Sequence, residues 1–289
     1  MRSFGGAWSE QKLTAFEKYL NAYLTILKKQ SFHKTYIDAF AGCGYRAAVA
    51  PDPLGQQVLP YTPDDSASQF ARGSVSIALQ SELAFERYVF IEQDESTFES
   101  LQQHINQHFP DRADRVWCRC GDANDLLAEL CKGWSPKDRA MIFLDPFGMQ
   151  VHWDTIRAIA GTRAADLMIL FPLGVAVNRM LTRSGNISTS WRNHLDNLFG
   201  TSDWYNAFYA APRTADLFGG DRVEKQTSIP EIADYYLGRL KTVFPHVATK
   251  PLYLRNSRRS AIFALCFAAA NPRGGQIAVR VANDIFGKG

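Results

Sequence analysis

The sequence predicts an α/β protein with a mostly parallel sheet, a closing antiparallel hairpin and a helical insertion. Short apolar runs alternate with segments of helical spacing, which is typical of parallel βαβ units covered on both faces. Several of these runs end at an acidic residue or a glycine turn. With 289 residues, 46% of them hydrophobic, the chain can bury the core of one large domain or two small ones, which excludes a disordered protein.

The first elements are a helix and a strand that runs into a glycine turn. Apolar residues at helical spacing predict an amphipathic helix over 9–30, capped by Ser9, with its lysines on the other side. The β-prone run Lys34–Asp38 follows. Residues 46–75 contain four prolines and predict a surface insertion with little regular structure, and Ser74–Leu83 then predicts a helix.

Four further strands with helices between them continue the pattern. The predicted strands are Arg87–Glu92, Arg115–Cys120, Ala140–Leu144 and Asp166–Phe171. A helix is expected over 96–109, and another through Leu126, Leu127 and Leu130. Together with Lys34–Asp38, these runs predict five parallel strands.

Residues 173–250 do not continue this alternation of strands and helices, and they predict a helical insertion or cap. Its aromatic residues fit the core better than a ligand site: Trp191, Phe199, Trp204, Tyr205, Phe208, Tyr209, Tyr235 and Tyr236. A Gly-Gly-Asp loop interrupts it at 219–221.

The end of the chain predicts an antiparallel hairpin that completes the sheet. Its strands would be 261–269 and 276–281, joined by a turn at 271–275. The chain is thus expected to form one domain. Its parts would be residues 1–172 with the N-terminal helix and the cofactor-binding half, the insertion at 173–250, and the hairpin at 251–289.

The net charge of +3 conceals a polarised distribution. Residues 250–289 contain seven basic residues and one acidic residue, whereas the first 249 residues carry a net charge of −3. Arg255, Arg258 and Arg259 lie close to Tyr253 in this basic end. Such a segment indicates phosphate contacts in a nucleic acid, and a solvated surface is the alternative.

Other classes of protein are disfavoured. The longest apolar run, 261–270, is about half of the ~20 residues that a membrane span needs, and the first residues lack the apolar stretch of a secretory signal. Five scattered cysteines predict neither disulfides nor a zinc site, so a reducing cytoplasm is expected. His104 and His108 have helical spacing but no acidic partner, which favours an exposed helix face over a metal site.

Acidic residues follow four of the predicted strands. Ligands of open α/β sheets bind outside the carboxyl ends of the strands, and Asp38, Glu92, Asp122 and Asp145 lie at those ends. A single acid there is usually a turn or helix-cap residue. Four such acids on successive strands indicate a site.

The first of these ends favours a cationic ligand. The turn after Asp38 lacks the full G-x-G-x-x-G spacing, but Gly42 and Gly44 allow a tight turn and close approach of a ligand. A carboxylate beside the turn repels a pyrophosphate and attracts a sulfonium, which suits S-adenosylmethionine. Glu92 would bind the ribose hydroxyls, and Asp122 the adenine amino group. The predicted cofactor-binding residues are Asp38, Phe40, Ala41, Gly42, Gly44, Glu92, Asp122 and Ala123.

The fourth end, Asp145-Pro146-Phe147-Gly148, resembles a turn of methyltransferases that act on exocyclic amines. There, an acid and a backbone carbonyl accept hydrogen bonds from the amine while an aromatic ring stacks on the base, so the nitrogen lone pair points at the methyl carbon. Asp145, Pro146 and Phe147 are therefore the candidate catalytic residues. The turn resembles that of tRNA guanine-N2 methyltransferases more than the adenine-N6 pattern. The alternative is an ordinary turn with Phe147 packed inside.

Across nearly its whole length the chain resembles the three-Cys-motif partner family. The segments that carry the resemblance are Trp8 with Lys12-Leu13, Lys18–Lys28, Tyr36–Gly44, Phe90–Asp94, Leu144–Gly148, Ile262–Phe267 and Asn271-Pro272. The resemblance implies the Rossmann-like, seven-stranded sheet of class I methyltransferases, S-adenosylmethionine as cofactor, and a partner protein that carries the three-cysteine motif.

These observations predict an S-adenosylmethionine-dependent methyltransferase that acts on an exocyclic amine of a nucleobase in nucleic acid. The alternative is a non-catalytic module of the same fold that binds nucleic acid or the three-cysteine-motif partner. A nicotinamide-dependent oxidoreductase ranks third because G-x-G-x-x-G is absent.

Overall fold

The computed structural model describes residues 6–44, 73–211 and 223–288. Its strands are β1 (His33–Asp38), β2 (Arg87–Glu92), β3 (Val116–Cys120), β4 (Asp138–Leu144), β5 (Ala165–Phe171), β6 (Tyr209–Ala210), β7 (Glu224–Lys225), β8 (His246–Val247), β9 (Leu252–Arg255) and β10 (Ala261–Ala269). The main sheet has the order β3-β2-β1-β4-β5-β10, and the short strands β8 and β9 both pair with β10. Strands β1 to β5 are parallel and β10 is antiparallel to β5. This is the predicted mixed, Rossmann-like sheet.

Helices cover both faces of the sheet. They are α1 (Gly6–Leu27), α2 (Ser74–Gln80), α3 (Glu95–His108), α4 (Ala123–Leu130), α5 (Trp153–Gly161), α6 (Asn178–Met180), α7 (Thr189–Phe199), α8 (Trp204–Phe208), α9 (Ile229–Lys241) and α10 (Gly275–Phe286). One core lies under α1, α2, α3 and α10, and the other under α4, α5 and α7 to α9. Side chains alternate between the two, since Tyr36 belongs to one core and Ile37 to the other.

The five predicted parallel strands are confirmed with boundaries that shift by one or two residues. The first helix is also confirmed, but it begins at Gly6. Ser9 therefore lies inside its first turn, and the prediction of Ser9 as its N-cap is wrong. Most of the predicted insertion at 46–75 and the loop at 219–221 lie outside the described residues.

The antiparallel hairpin is present, but it consists of β9 and β10 joined at residues 256–260. The predicted strand at 276–281 is wrong, because this segment belongs to α10. Its apolar residues also have helical spacing, and Ala278, Ala282 and Phe286 pack into the core beside α1. Among the described residues, no helix is long and apolar enough to cross a membrane.

The aromatic residues of the insertion pack as core, as predicted. Phe199, Trp204, Phe208 and Tyr236 are buried. The Tyr236 ring stacks on Phe171 of β5 with 4.2 Å between ring centroids. The insertion is therefore anchored on the main sheet beside the carboxyl end of β5.

Candidate functional site

Four carboxylates lie in order along one edge of the sheet. Strands β3, β2, β1 and β4 are neighbours, and their carboxyl ends lead to Asp122, Glu92, Asp38 and Asp145 respectively. The predicted juxtaposition of these four residues is present in the structure.

The glycine turn after β1 is tied to the end of β2. The backbone N–H of Gly42 donates to Glu92 Oε2 at 3.0 Å, and the N–H of Asp94 donates to Glu92 Oε1 at 2.9 Å. Two backbone donors therefore fix the orientation of the Glu92 carboxylate. Gly42 has a φ of +58°, and a Cβ at this position would meet no atom of the described residues within 4 Å. None of those residues therefore fills the space beside the turn.

Asp38 is fully buried, and its carboxylate holds the residues around the turn by hydrogen bonds. Its carboxylate accepts hydrogen bonds from Ser74 Oγ (2.5 Å), Tyr36 Oη (3.2 Å) and the Phe40 N–H (3.2 Å). Burial raises the pKa of Asp38 to about 6, and the charge of Asp145 acts in the same direction, while the hydrogen bonds from Ser74, Phe40 and Tyr36 oppose it. Asp38 therefore positions the turn and contributes negative charge without being exposed to a ligand.

Asp122 is the N-cap of α4. Its Oδ1 accepts from the N–H groups of Asn124 (2.8 Å) and Asp125 (3.3 Å). No hydrogen bond from the described residues reaches Oδ2, so that oxygen is left for another donor. The neighbouring Ala123 is buried in the core.

Asn124 connects two of the site's turns and was not predicted from the sequence. Its Oδ1 accepts from the His152 N–H (2.9 Å) and Thr155 Oγ1 (2.8 Å), and its Nδ2 donates to the Gln150 carbonyl (3.0 Å). The Gln150 side chain in turn accepts from the Phe147 N–H at 2.9 Å. This network holds the turn after β4 against the turn after β3.

Lys12 forms an ion pair with Asp145 and was also missed. Its Nζ contacts Asp145 Oδ2, and it lies 5.6 Å from the Trp8 ring centroid. The Lys12 side chain is 8% exposed and that of Asp145 25%. Lys12 lies four residues after Trp8 and four before the buried Phe16, so helical spacing places it on the inner face of α1. The prediction that it lies on the other side of the helix is wrong.

The two residues after Asp145 have opposite environments. Pro146 is buried, whereas Phe147 is 59% exposed. The alternative in which Phe147 packs inside is therefore wrong. An exposed aromatic ring next to a half-buried carboxylate is suited to stacking on a flat ligand.

The basic turn, defined as residues 255–259, lies at the same edge of the sheet. Because β10 is antiparallel to β5, its first residue, Ala261, is close to the carboxyl end of β5. Arg255, Arg258 and Arg259 are exposed, and none of them forms an ion pair with another described residue. Arg255 Nη1 donates to the Arg259 carbonyl at 2.9 Å, which orders the turn.

His104 and His108 do not form an exposed helix face as predicted. His104 is 8% exposed, its Nε2 lies 3.2 Å from Ser76 Oγ, and burial lowers its pKa. It lies on the inner face of α3, where its ring also contacts Phe109. In the described parts of the chain, no three potential metal ligands cluster.

No known family model and no curated protein match this chain. Solved structures of similar arrangement include a Legionella pneumophila protein, LPL1258, at 12% identity, with 93% of this chain and 89% of that chain covered and a TM-score of 0.46. The methyltransferase domain of a bacterial CtHen1 has 12% identity, 88% and 98% coverage and a TM-score of 0.40. A spermidine synthase has 10% identity, 88% and 58% coverage and a TM-score of 0.39.

All three TM-scores are below 0.5, so these likenesses say nothing about activity. The order and direction of the strands establish the fold. The resemblance to the three-Cys-motif partner family stays a prediction.

Proposed function

We propose that this protein is a class I S-adenosylmethionine-dependent methyltransferase that methylates an exocyclic amine of a nucleobase in nucleic acid. The observation that carries the proposal is that the two groups of residues predicted for such a site lie along one edge of the sheet. The first group is the Gly42 turn with Glu92, and the second is the partly buried Asp145 with the exposed Phe147.

The first half fits the proposed cofactor. Each Glu92 oxygen accepts one backbone hydrogen bond and keeps a further lone pair for a ribose hydroxyl. No described residue fills the space beside Gly42, where the cofactor would approach the backbone. Asp122 Oδ2 would accept from the adenine amino group, and the buried charge of Asp38 would favour a cationic sulfonium.

The second half fits an amine. Lys12 holds Asp145 Oδ2, and no hydrogen bond from the described residues reaches Oδ1. Oδ1 and the Pro146 carbonyl would accept the two amine hydrogens, while Phe147 stacks on the base. These contacts would fix the two N–H bonds and so the direction of the nitrogen lone pair.

When bound, the cofactor would supply an electrophilic methyl group, with its sulfur as the leaving group. The methylated nitrogen would lose one proton to water. Asp145 thus orients the amine, and Lys12 keeps the Asp145 carboxylate in place. The basic turn at the same edge would bind the phosphates of the nucleic acid and so bring a base to Phe147.

The second candidate is a non-catalytic module of the same fold. One observation favours this non-catalytic module: the Lys12 ammonium already occupies one acceptor oxygen of Asp145. Such a module would use Arg255, Arg258 and Arg259 to bind nucleic acid or a three-cysteine-motif partner protein.

Calorimetry with S-adenosylhomocysteine and mass spectrometry of nucleosides test these proposals together. The wild type should bind S-adenosylhomocysteine and transfer a labelled methyl group to a base in total nucleic acid. Glu92→Ala should lose the binding, whereas Asp145→Ala should keep the binding and lose the transfer. Binding without transfer by the wild type would support the non-catalytic module. No binding at about 1 mM ligand would contradict the methyltransferase proposal.

A further inference from the structure

A second concave site lies at the opposite edge of the sheet, between α1 and α10. This groove has a volume of about 530 Å³, within the range of about 300–1,000 Å³ that is common for small-molecule sites. Its walls are mainly apolar, with Ile26 and Ile277 at the rim and Asp166 at its base, at the amino end of β5. Ile26 and Ile277 are 45% and 54% exposed, among the most exposed large apolar side chains described.

The base of the groove contains a carboxylate that is only partly satisfied. Asp166 is 7% exposed, and its Oδ2 accepts from Tyr19 Oη at 2.7 Å. Across the described ranges of the chain, no hydrogen bond reaches Oδ1 and no ion pair involves Asp166. Tyr23, which also lines the groove, has a buried hydroxyl with no partner in those ranges. The Tyr23 hydroxyl is thus a buried polar group that a ligand could satisfy, and Asp166 Oδ1, which is not fully buried, is an acceptor open to the groove.

Two arginines, Arg139 and Arg273, line the groove with Asp166, but neither forms an ion pair with it among the described residues. Tyr19 and Tyr23 come from α1, Arg139 from the start of β4, and Arg273 from the turn before α10. Arg139 is directed elsewhere, because its guanidinium lies 4.0 Å from the Phe32 ring centroid.

Arg139 also donates to two backbone carbonyls, those of Pro136 (3.0 Å) and Asp138 (2.6 Å). Both bonds use Nη1, so three of the five guanidinium N–H groups have no partner among the described residues, yet no hydrogen bond or ion pair in those ranges joins Arg139 to Asp166. The carboxylate remains the strongest available acceptor at the base of an apolar groove.

We propose that this groove binds a small apolar molecule with a protonated amino group, the ammonium at Asp166 and the apolar body between Ile26 and Ile277. The site is separate from the proposed methyl-transfer site, because the groove lies at the amino ends of β4 and β5 and the acids of the other site follow the carboxyl ends of their strands.

Binding of an ammonium to this groove depends on the ionisation of Asp166. Burial raises the pKa of Asp166 to about 7, although the Tyr19 hydrogen bond and the Arg139 charge oppose this. A protonated amine pairs with the ionised form only. The affinity should therefore increase about tenfold as the pH rises from 6 to 8, where the carboxyl changes from mostly protonated to mostly ionised.

Three probes of matched shape test the proposal by ligand-observed NMR: 4-phenylbutylamine, 4-phenylbutanol and 4-phenylbutyrate. We expect the amine to bind best and to gain about tenfold in affinity between pH 6 and pH 8. Asp166→Asn, which can still accept from Tyr19, should lose this gain. Ile277→Lys at the rim should weaken amine binding, whereas Leu83→Lys, a substitution of another exposed apolar residue outside the groove, should not.

Far-ultraviolet circular dichroism of the same variants serves as a fold control. It should be unchanged, whatever the outcome for the groove. The proposal is overturned if the amine fails to bind at about 10 mM, if the butyrate binds better than the amine, or if the pH-dependent gain persists in Asp166→Asn.

Discussion

Lys12 of α1 and Asp145 after β4 form an ion pair across 133 positions of the sequence. The Lys12 side chain is almost fully buried, and Trp8, one turn before it on α1, packs its ring against Phe263 of β10 with 4.9 Å between centroids. The first helix is therefore part of the site edge. The Lys12 ammonium offsets the charge of Asp145. Asp145 lies close enough to Asp38 to raise the pKa of the Asp38 carboxyl.

A double-mutant cycle measures this pair without any assumption about activity. Lys12→Ala and Asp145→Ala should each destabilise the fold, because each leaves a largely buried charge without its partner. We expect a coupling free energy of about 1–3 kcal/mol from urea unfolding of both single variants and the double variant. Lys28→Ala, at an exposed position beyond α1, combined with Asp145→Ala is the control, and those two effects should be additive. A coupling near zero for Lys12 would show that the ion pair does not form.

The two buried carboxyls predict an unusual pH dependence of stability. The pKa of Asp38 is raised to about 6 and that of Asp166 to about 7 by burial, against about 3.9 in an unfolded chain. The folded state therefore binds more protons than the unfolded state between these values, and the stability contributed by each carboxyl falls as the pH rises.

Asp38→Asn should remove the part of this pH-dependent decrease in stability that comes from the Asp38 carboxyl. The free energy of unfolding of the wild type, relative to Asp38→Asn, should fall by up to about 3 kcal/mol between pH 4 and pH 7, with most of the change below pH 6. For Asp166→Asn the fall should continue to about pH 7. Urea unfolding over a pH series measures both, with the exposed Glu99→Gln as the control. A difference that stays flat or rises with pH would contradict the raised pKa values of these two carboxyls.

Local signals in the sequence were enough to predict the five parallel strands and the order of acids along their ends. Each strand is an apolar run that stops at an acid, a glycine or a proline. Segment 276–281 was predicted as a strand because the turn signal at 271–275 favoured an antiparallel hairpin with the strand before it. Its helical spacing became decisive only through packing against α1, which a local pattern does not contain.

The contacts that complete the site could not be predicted from the sequence. The Lys12–Asp145 pair and the Asn124–Gln150 network join turns that are far apart in the chain. Lysine and asparagine on helices are ordinarily solvent-exposed, so neither residue type stood out. The spacing of Lys12 from Trp8 and Phe16 was the one available signal that it faces inwards.

The basic turn predicts a salt-dependent contribution to nucleic-acid binding. Arg258→Ala with Arg259→Asn removes two charges, and asparagine tolerates the positive φ of 62° at position 259. If both arginines contact phosphates, the slope of log affinity against log salt should fall by about 1.4–1.8, which is the loss of two contacts.

Fluorescence anisotropy with single-stranded and duplex oligonucleotides over a salt series measures this slope. Lys28→Ala with Lys29→Ala removes two exposed charges shortly before the start of β1, at the opposite edge, and should leave the slope unchanged. Equal effects of the two double variants would mean that binding is a non-specific response to net charge.

Phe147 should matter for binding and not for folding. Because Phe147 is 59% exposed, Phe147→Ala should change the free energy of unfolding by no more than about 0.5 kcal/mol. Loss of base stacking should weaken binding of a single-stranded oligonucleotide by about 1–3 kcal/mol. Phe147→Tyr should retain the affinity, and Leu83→Ala, at an exposed residue elsewhere, should not affect it. Unchanged affinity in Phe147→Ala would mean that its ring does not stack on a base.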